Sequence, residues 1–280
     1  MTYFGFLLRF LGIPLVILAA LLAWRWRQQG YSGAGPTNPP TWAAILLHAL
    51  IALVYTTPWD NYLVATRVWW YNPALVTGIT LGYVPIEEYT FFVLQPVLSG
   101  FWLLFLAPYN RPVSLAWLHV TSWRIWTAAV GLVIWIGSLV LLLSGWTPGT
   151  YLALELVWAL PPILLQLVFG MDILWRYRRL VAAAILPVTI YLSVADALAI
   201  GFGTWTINPA RSLGVLLGGV LPLEEFVFFL LTNTLVIFGL VLLLASESRS
   251  RFQAIRRQLS FARISAYGVP KKSRPIKDGR

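Results

Sequence analysis

The chain has 280 residues, of which 59% are hydrophobic and only 11% are charged, and its mean hydropathy is +0.76. Soluble domains carry about 25% charged residues, so this composition predicts an integral membrane protein. The sequence contains no cysteine, which excludes disulfide scaffolds, thiolate metal sites and cysteine nucleophiles. The two histidines, His48 and His119, are far apart in sequence and predict no histidine metal site.

Seven long apolar runs follow one another along the chain. A helix that crosses the hydrocarbon core needs about 20 apolar residues, and irregular backbone cannot face lipid. The sequence therefore predicts an all-α, polytopic membrane protein with seven transmembrane helices. The predicted spans are Tyr3–Trp24, Trp42–Pro58, Val84–Ala107, Ile125–Leu143, Tyr151–Phe169, Leu180–Ile200 and Val220–Ala245.

Basic residues predict the orientation of these spans. Seven crossings put the chain ends on opposite sides, and 17 of the 20 basic residues fall on the side of the carboxyl terminus. Because cytoplasmic segments are enriched in Lys and Arg, we expect the amino terminus outside and the carboxyl terminus in the cytoplasm of a multi-pass plasma-membrane protein. The tail from Ser246 carries a net charge of +8, which favours anionic membrane lipid over nucleic acid as its partner.

Two stretches of the chain carry nearly the same motif. "LGYVPIEEYTFFVLQ" spans Leu81–Gln95, and "GGVLPLEEFVFFLLT" spans Gly218–Thr232. Each is preceded by an aspartate and an Asn-Pro pair at matching spacing. The pattern predicts two parallel repeats of three helices joined by a connector helix. The expected segments are a first repeat at 1–110, a connector span at 111–148, a second repeat at 149–245 and a basic tail at 246–280.

The repeat gathers acidic residues on one side of the membrane. Six of the ten acids in the chain are expected there, namely Asp60, Glu87, Glu88, Asp196, Glu224 and Glu225, and Glu155 is a candidate seventh. Ionisable groups at membrane depth usually mark function. A proline at the first helical position followed by acids is also a favourable helix start. Both interpretations of the pairs, catalytic and structural, stay open on the sequence alone.

The duplicated proline-x-glutamate-acid motif, at Pro85-Glu87-Glu88 and Pro222-Glu224-Glu225, resembles that of the membrane lycopene cyclases that lack flavin. The "PWDNY" run at Pro58–Tyr62 is also similar to the first half of that family. The resemblance implies an enzyme of carotenoid biosynthesis, a lycopene β-cyclase that forms β-ionone rings without net redox change and without a cofactor or metal. It implies lycopene and other linear carotenoids as substrates, and other carotenoid-pathway enzymes as candidate partners.

Acid–base cyclisation assigns roles to the repeated residues. A protonated acid donates to a terminal double bond, the neighbouring alkene attacks the cation, and a carboxylate removes a ring proton. We expect Glu87 and Glu224 to be the essential acid–base residues, with Glu88, Glu225, Asp60 and Asp196 as their partners. Aromatic faces can stabilise the cation, and the candidates for substrate binding are Tyr89, Phe91, Phe92, Phe226, Phe228 and Phe229.

Other classes of membrane protein fit less well. A retinal protein needs a lysine in its last span, but Lys271, Lys272 and Lys277 all lie in the tail. Isoprenoid transferases need aspartate-rich motifs, and flavin-dependent cyclases need a three-glycine fingerprint; neither pattern occurs. A proton-coupled transporter and a lipid or carotenoid binding protein are the alternatives. The sequence leaves open whether one or both ends react, and whether β or ε rings form.

Overall fold

The computed structural model describes residues 1–28, 41–110, 112–113, 120–254 and 256 of the chain. In these ranges, seven helices are long and apolar enough to cross a membrane. They confirm the all-α class and the seven predicted spans. We label them α1 (Tyr3–Gln28), α2 (Thr41–Ala65), α3 (Ile86–Leu106), α4 (Val120–Leu143), α5 (Thr150–Arg176), α6 (Arg178–Gly201) and α7 (Leu223–Leu244).

Two helices continue seven residues beyond the ends that the sequence predicts. The predicted second span ends at Pro58, but α2 continues to Ala65 and therefore includes Asp60. The predicted fifth span ends at Phe169, but α5 continues through a kink at Gly170 to Arg176. An internal proline or kink removes only local hydrogen bonds, and a membrane helix tolerates it where neighbouring groups replace them.

The kinked helix α5 shows how those bonds are replaced. A proline has no N–H, so Pro161-Pro162 cannot donate to the carbonyls four residues earlier, at Val157 and Trp158. The indole N–H of Trp135 in α4 donates to the first carbonyl at 3.1 Å. The hydroxyl of Tyr55 in α2 donates to the second at 2.8 Å. Side chains of two neighbouring helices thus satisfy backbone groups that water cannot reach.

Short strands connect the helices on the side where α2 and α6 end. The strand β1 (Trp69–Tyr71) pairs antiparallel with β4 (Trp205–Ile207), so the loop after α2 is joined to the loop after α6. Two local hairpins complete these loops and lead directly into α3 and α7. The hairpins pair β2 (Thr80–Leu81) with β3 (Val84–Pro85) and β5 (Leu216–Leu217) with β6 (Leu221–Pro222).

A small network of buried polar side chains lies in the interior of the bundle. Helices α3, α6 and α7 meet there. The Asn233 side-chain oxygen accepts hydrogen bonds from Gln95 at 2.8 Å and Ser99 at 2.7 Å, and its amide donates to Thr189 at 3.2 Å. All four side chains are buried. Helix α4 lies at the edge, packs against α5 and buries the smallest share of its residues.

The start of the basic tail contacts the protein itself. Residues 246–254 are helical, and the Arg251 guanidinium donates to both carboxylate oxygens of Asp172, at 2.9 and 2.5 Å. Arg251 also donates to the carbonyl of Phe169 beside the kink. Phe252 is exposed, as expected for a membrane-surface helix. The rest of the predicted tail and most of the loop between α3 and α4 lie outside the described residues.

The side-chain hydrogen bonds to carbonyls that a proline leaves without a donor lead to a stability prediction at Pro187. This residue leaves the carbonyl of Ala183 in α6 without its helical donor, and the Trp102 indole donates to that carbonyl at 3.0 Å. We expect Trp102→Phe to lower the free energy of unfolding by about 1–2 kcal/mol. In a Pro187→Ala background the restored N–H satisfies Ala183, so the additional cost should fall below about 0.5 kcal/mol.

Detergent unfolding of the four combinations measures this coupling. Trp126→Phe is the matched control, because the Trp126 side chain is 69% exposed. Equal costs of Trp102→Phe in both backgrounds would show that packing, and not the indole hydrogen bond, is what the change removes.

Candidate functional site

The paired glutamates begin α3 and α7. Pro85 and Pro222 are the residues just before these helices, in extended conformation, and not their first helical positions as the sequence suggests. Both prolines end a short strand, and this pairing fixes the direction in which each helix starts. Successive residues in an α-helix point about 100° apart. The two acids of one pair therefore face different surroundings.

The first acid of each pair binds the preceding loop. The Glu87 carboxylate accepts a hydrogen bond from the backbone N–H of Thr77 at 2.6 Å. The Glu224 carboxylate accepts one from the N–H of Leu213 at 2.6 Å and one from the Ser212 hydroxyl at 3.1 Å. Both glutamates are fully buried. These equivalent contacts hold the two loops against the helix starts and direct Glu87 and Glu224 away from the main cavity.

The second acid of each pair faces a cavity between the two halves of the chain. Glu88 accepts hydrogen bonds from the hydroxyls of Tyr3 and Tyr71, the latter at 3.1 Å. Glu225 accepts one from the hydroxyl of Tyr151 at 2.8 Å. Tyr3 begins α1 and Tyr151 lies in the first turn of α5. The contacts on the two glutamates are thus alike, with Tyr71 as an additional donor to Glu88.

The two predicted aspartates line the same cavity. Asp196 accepts a hydrogen bond from the Trp205 indole at 2.9 Å. Asp60 is 1% exposed, and neither of its carboxyl oxygens has a hydrogen-bond partner among the described residues. The cavity lining includes no lysine, arginine or histidine. Four carboxyl groups therefore share one cavity whose lining has no positively charged side chain to balance them.

Aromatic side chains form most of the remaining wall. The cavity has an empty volume of about 510 Å³. Four of the six predicted substrate-binding aromatics line it: Phe91, Phe92, Phe228 and Phe229. Tyr89 instead donates a hydrogen bond to the carbonyl of Leu81 at 2.6 Å and accepts one from Asn61 at 2.9 Å. Phe226 is partly buried outside the lining.

Several residues that line the cavity were not predicted from the sequence. Tyr3, Tyr71 and Tyr151 contact the cavity glutamates, and the indoles of Trp59, Trp69 and Trp205 line the same space. A tyrosine near the start of each corresponding span was the available signal for Tyr3 and Tyr151. Tyr71 corresponds to Ile207 in the other half, so no repeat signal marks it. Only the paired strands bring both residues to the cavity.

The electrostatic environment of Tyr71 agrees with its role as a donor. Burial, reinforced by the nearby carboxyl groups of Asp60 and Glu88, raises the pKa of Tyr71 well above its ordinary value. Its hydroxyl therefore stays protonated at neutral pH and can donate to Glu88. Among the described residues, no group of three or more His, Cys, Asp or Glu side chains is placed to hold a metal ion.

Glu155, the candidate seventh acid, lies outside this lining. It is fully buried one helical turn after Tyr151, and neither carboxyl oxygen has a hydrogen-bond partner among the described residues. The carboxyl groups of Glu225 and Glu224 are close enough to act on it electrostatically. The second half of the chain therefore contains one more buried acid near its cavity glutamate than the first half does, where Leu7 is at the corresponding place in α1.

Known proteins with similar sequences identify the family. The family model described as lycopene cyclase matches residues 2–106 and 148–243. The "Lycopene beta-cyclase" of Halobacterium salinarum is 39% identical over 241 residues, covering 86% of this chain and 95% of that protein. The "Bifunctional lycopene cyclase/phytoene synthase" of Podospora anserina is 39% identical over 68% of this chain and 33% of its own length.

A second fungal bifunctional protein, from Aspergillus oryzae, is 34% identical over 84% of this chain and 41% of its own length. No solved structure matches. The family match confirms the predicted class of enzyme, a carotenoid cyclase with lycopene as substrate. With seven apolar helices around a cavity of acids and aromatic rings, the chain belongs to the lycopene cyclase family.

Proposed function

We propose that this protein is a lycopene β-cyclase that closes the linear ends of lycopene by proton transfer within the shared cavity. The observation that carries this proposal is the set of four carboxyl groups in one cavity, three of them buried and that of Glu88 partly buried, with no basic residue in the lining and with aromatic rings around them. A proton adds to the terminal double bond, the neighbouring alkene forms the ring bond, and a ring proton leaves. Because one proton enters and one leaves, the reaction needs no oxidant or reductant.

The contacts of the four acids suggest a division of roles. A carboxylate that accepts hydrogen bonds has its negative charge stabilised by them, and Glu88 accepts two from tyrosine hydroxyls. Asp60 is buried and has no such donor among the described residues. We assign proton donation to Asp60 and proton removal to Glu88. Glu225 and Asp196, which accept one hydrogen bond each, complete the acid set.

The sequence predicts Glu87 and Glu224 as the essential acid–base residues. Their hydrogen bonds to the loops instead favour a role in positioning those loops. Each accepts a backbone hydrogen bond that a glutamine oxygen can also accept. The aromatic walls supply the other part of the chemistry, because the faces of Trp59, Phe91 and Phe228 can stabilise a carbocation without reacting with it.

We also propose the organisation and orientation of the chain. Residues 1–110 and 149–245 are two parallel three-helix repeats, 111–148 is the connector that includes α4, and 246–280 is a basic tail that faces the cytoplasm. The two separate segments of the family match, on either side of α4, support this division. The amino terminus then lies outside the plasma membrane. Anionic lipid is the partner of the tail, and other carotenoid-pathway enzymes are candidate partners for handing over substrate.

The paired glutamates provide their own matched controls in a lycopene-producing host. We expect Glu88→Gln and Glu225→Gln to lower carotene formation by about 100-fold or more, because glutamine cannot exchange a proton. Glu87→Gln and Glu224→Gln should retain most activity, because they preserve the loop hydrogen bonds. Pigment analysis by chromatography, with protein in the membrane fraction quantified, measures both effects.

The products also distinguish the alternatives. Both cavity glutamates line the same space. Replacing either Glu88 or Glu225 by glutamine should therefore leave unreacted lycopene and not a one-ringed carotene. The opposite ranking, with Glu87 and Glu224 essential and Glu88 and Glu225 dispensable, would overturn the proposed roles. Lycopene left unchanged by the wild-type protein, folded in the membrane, would favour the transporter or binding-protein alternative.

A division of the chain tests the shared cavity. Residues 1–115 and 116–280, made as separate chains, should cyclise lycopene only when they are produced together. The reason is that Asp60 and Glu88 would be on one chain and Asp196 and Glu225 on the other, while membrane helices can reassociate by packing. Pigment analysis of each half alone and of both together measures this, with the uncut protein as control. Activity of either half alone would refute a shared site.

A further inference from the structure

An open apolar groove lies beside the cavity on the outer face of the bundle. Six of its lining residues belong to α2 and one to α5: Leu50, Ile51, Val54, Tyr55, Pro58, Trp59 and Trp158. Its empty volume, counted out to the open side, is about 910 Å³. Leu50, Ile51 and Val54 are between 52% and 66% exposed, on a helix that spans the membrane. In a bilayer this groove would open to lipid and not to water.

The groove and the acid-lined cavity share a wall. Trp59 lines both spaces and immediately precedes Asp60 in α2. The Trp158 ring stacks on Trp59 with centroids 4.5 Å apart, and the ring of Phe228, a cavity residue, stacks on Trp59 at 5.8 Å and on Trp158 at 6.4 Å. These stacked aromatic rings lie where the lipid-facing groove meets the cavity of the four carboxyl groups.

Prolines shape this part of both helices. Pro58 lies inside α2 and cannot donate a hydrogen bond to the carbonyl of Val54. In α5, Pro162 frees the carbonyl of Trp158, and the Tyr55 hydroxyl binds it at 2.8 Å. This bond fixes the distance between the two helices at the groove, where apolar side chains alone would allow them to close together.

The chemistry of the reaction identifies an occupant. The acid-lined cavity is small beside a whole linear carotenoid, so only the reacting end of the long molecule can lie in it. The remaining chain is a rigid hydrocarbon and must lie in an apolar environment. From Leu50 to Trp59 the groove follows α2 for about 13 Å, from the middle of the helix toward Asp60.

We propose that this groove holds the conjugated hydrocarbon chain of the linear carotenoid while its end lies among the acids, and that the Trp59–Trp158 layer is the entrance to the cavity. This inference rests on the proposed function, because it takes the cavity as the place where the end group reacts. The groove is then a binding subsite reached from the lipid phase, and it determines which lengths and shapes of hydrocarbon can present an end to Asp60.

A matched pair of variants of the full-length protein tests the groove. Val54→Trp fills it, whereas Val133→Trp adds the same bulk to α4 at a position that is 70% exposed, close to the 66% of Val54. Lycopene is the probe, and two quantities are measured on purified protein in lipid: the lycopene bound per protein by absorbance, and the initial rate of carotene formation. Neither position belongs to the cavity, and both side chains face outward, so folding should be preserved.

We expect Val54→Trp to lower both bound lycopene and initial rate by about 10-fold, as overpacking a fitted apolar site does, with Val133→Trp close to wild type. Ile51→Trp is the second test and should give the same loss if Val54→Trp does not fold. Wild-type binding and turnover in both groove variants would overturn the inference. If the wild-type protein binds lycopene but does not cyclise it, the proposed function fails, and the binding ratio of the variants still decides whether the groove holds the chain.

Discussion

The exclusion of water from the bilayer is the constraint on which this structure depends. A backbone or carboxyl group that is not satisfied within the protein costs several kcal/mol in hydrocarbon. The prolines in α5 and α6 each free a carbonyl, and indole or phenol groups of other helices satisfy it. These bonds also fix how the helices pack. Among the described residues, the carboxyl groups of Asp60 and Glu155 have no hydrogen-bond partner, and we infer a functional role for Asp60 because it lines the cavity.

The two adjacent glutamates of each motif make different contacts, one with the preceding loop and one with the cavity. Helix geometry turns neighbouring side chains about 100° apart, so Glu87 and Glu224 bind the loops while Glu88 and Glu225 face the cavity. We therefore propose that the structural interpretation applies to the first glutamate of each pair and the catalytic interpretation to the second. The loop contacts in turn position β1 and β4, whose pairing brings Tyr71 and Trp205 to the same cavity.

Much of this organisation could be predicted from the sequence because hydropathy and repetition are local signals. The seven helices and the gathering of Asp60, Asp196, Glu88 and Glu225 follow from them. The end of α2 could not be placed, since Pro58 suggests a helix end and only packing shows that the helix continues. Which glutamate of a pair faces the cavity depends on the start of the helix within one residue, and a sequence pattern does not define that start closely enough.

The two halves are alike but not identical, and the differences concentrate near the acids. Asp196 is hydrogen-bonded to Trp205, whereas Asp60 has no partner among the described residues. Tyr71 binds Glu88, while Ile207 occupies the corresponding place in the other half. A pair of equivalent acids would have no preferred direction of proton transfer. In the proposed mechanism the asymmetry supplies this direction, with Asp60 as the proton donor and the hydrogen-bonded carboxylates of Glu88, Asp196 and Glu225 beside it.

The most direct test of proton transfer by these acids is cyclisation in D₂O. Buried carboxyl groups exchange their protons with solvent between turnovers. If these acids supply the proton, each ring formed should carry one deuterium at the position of the original terminal double bond. Mass spectrometry of the carotene product, with the reaction in H₂O as reference, measures this. A product with the same mass in both solvents would contradict proton donation by the cavity acids, because the added proton would then come from the substrate and not from an acid of the protein.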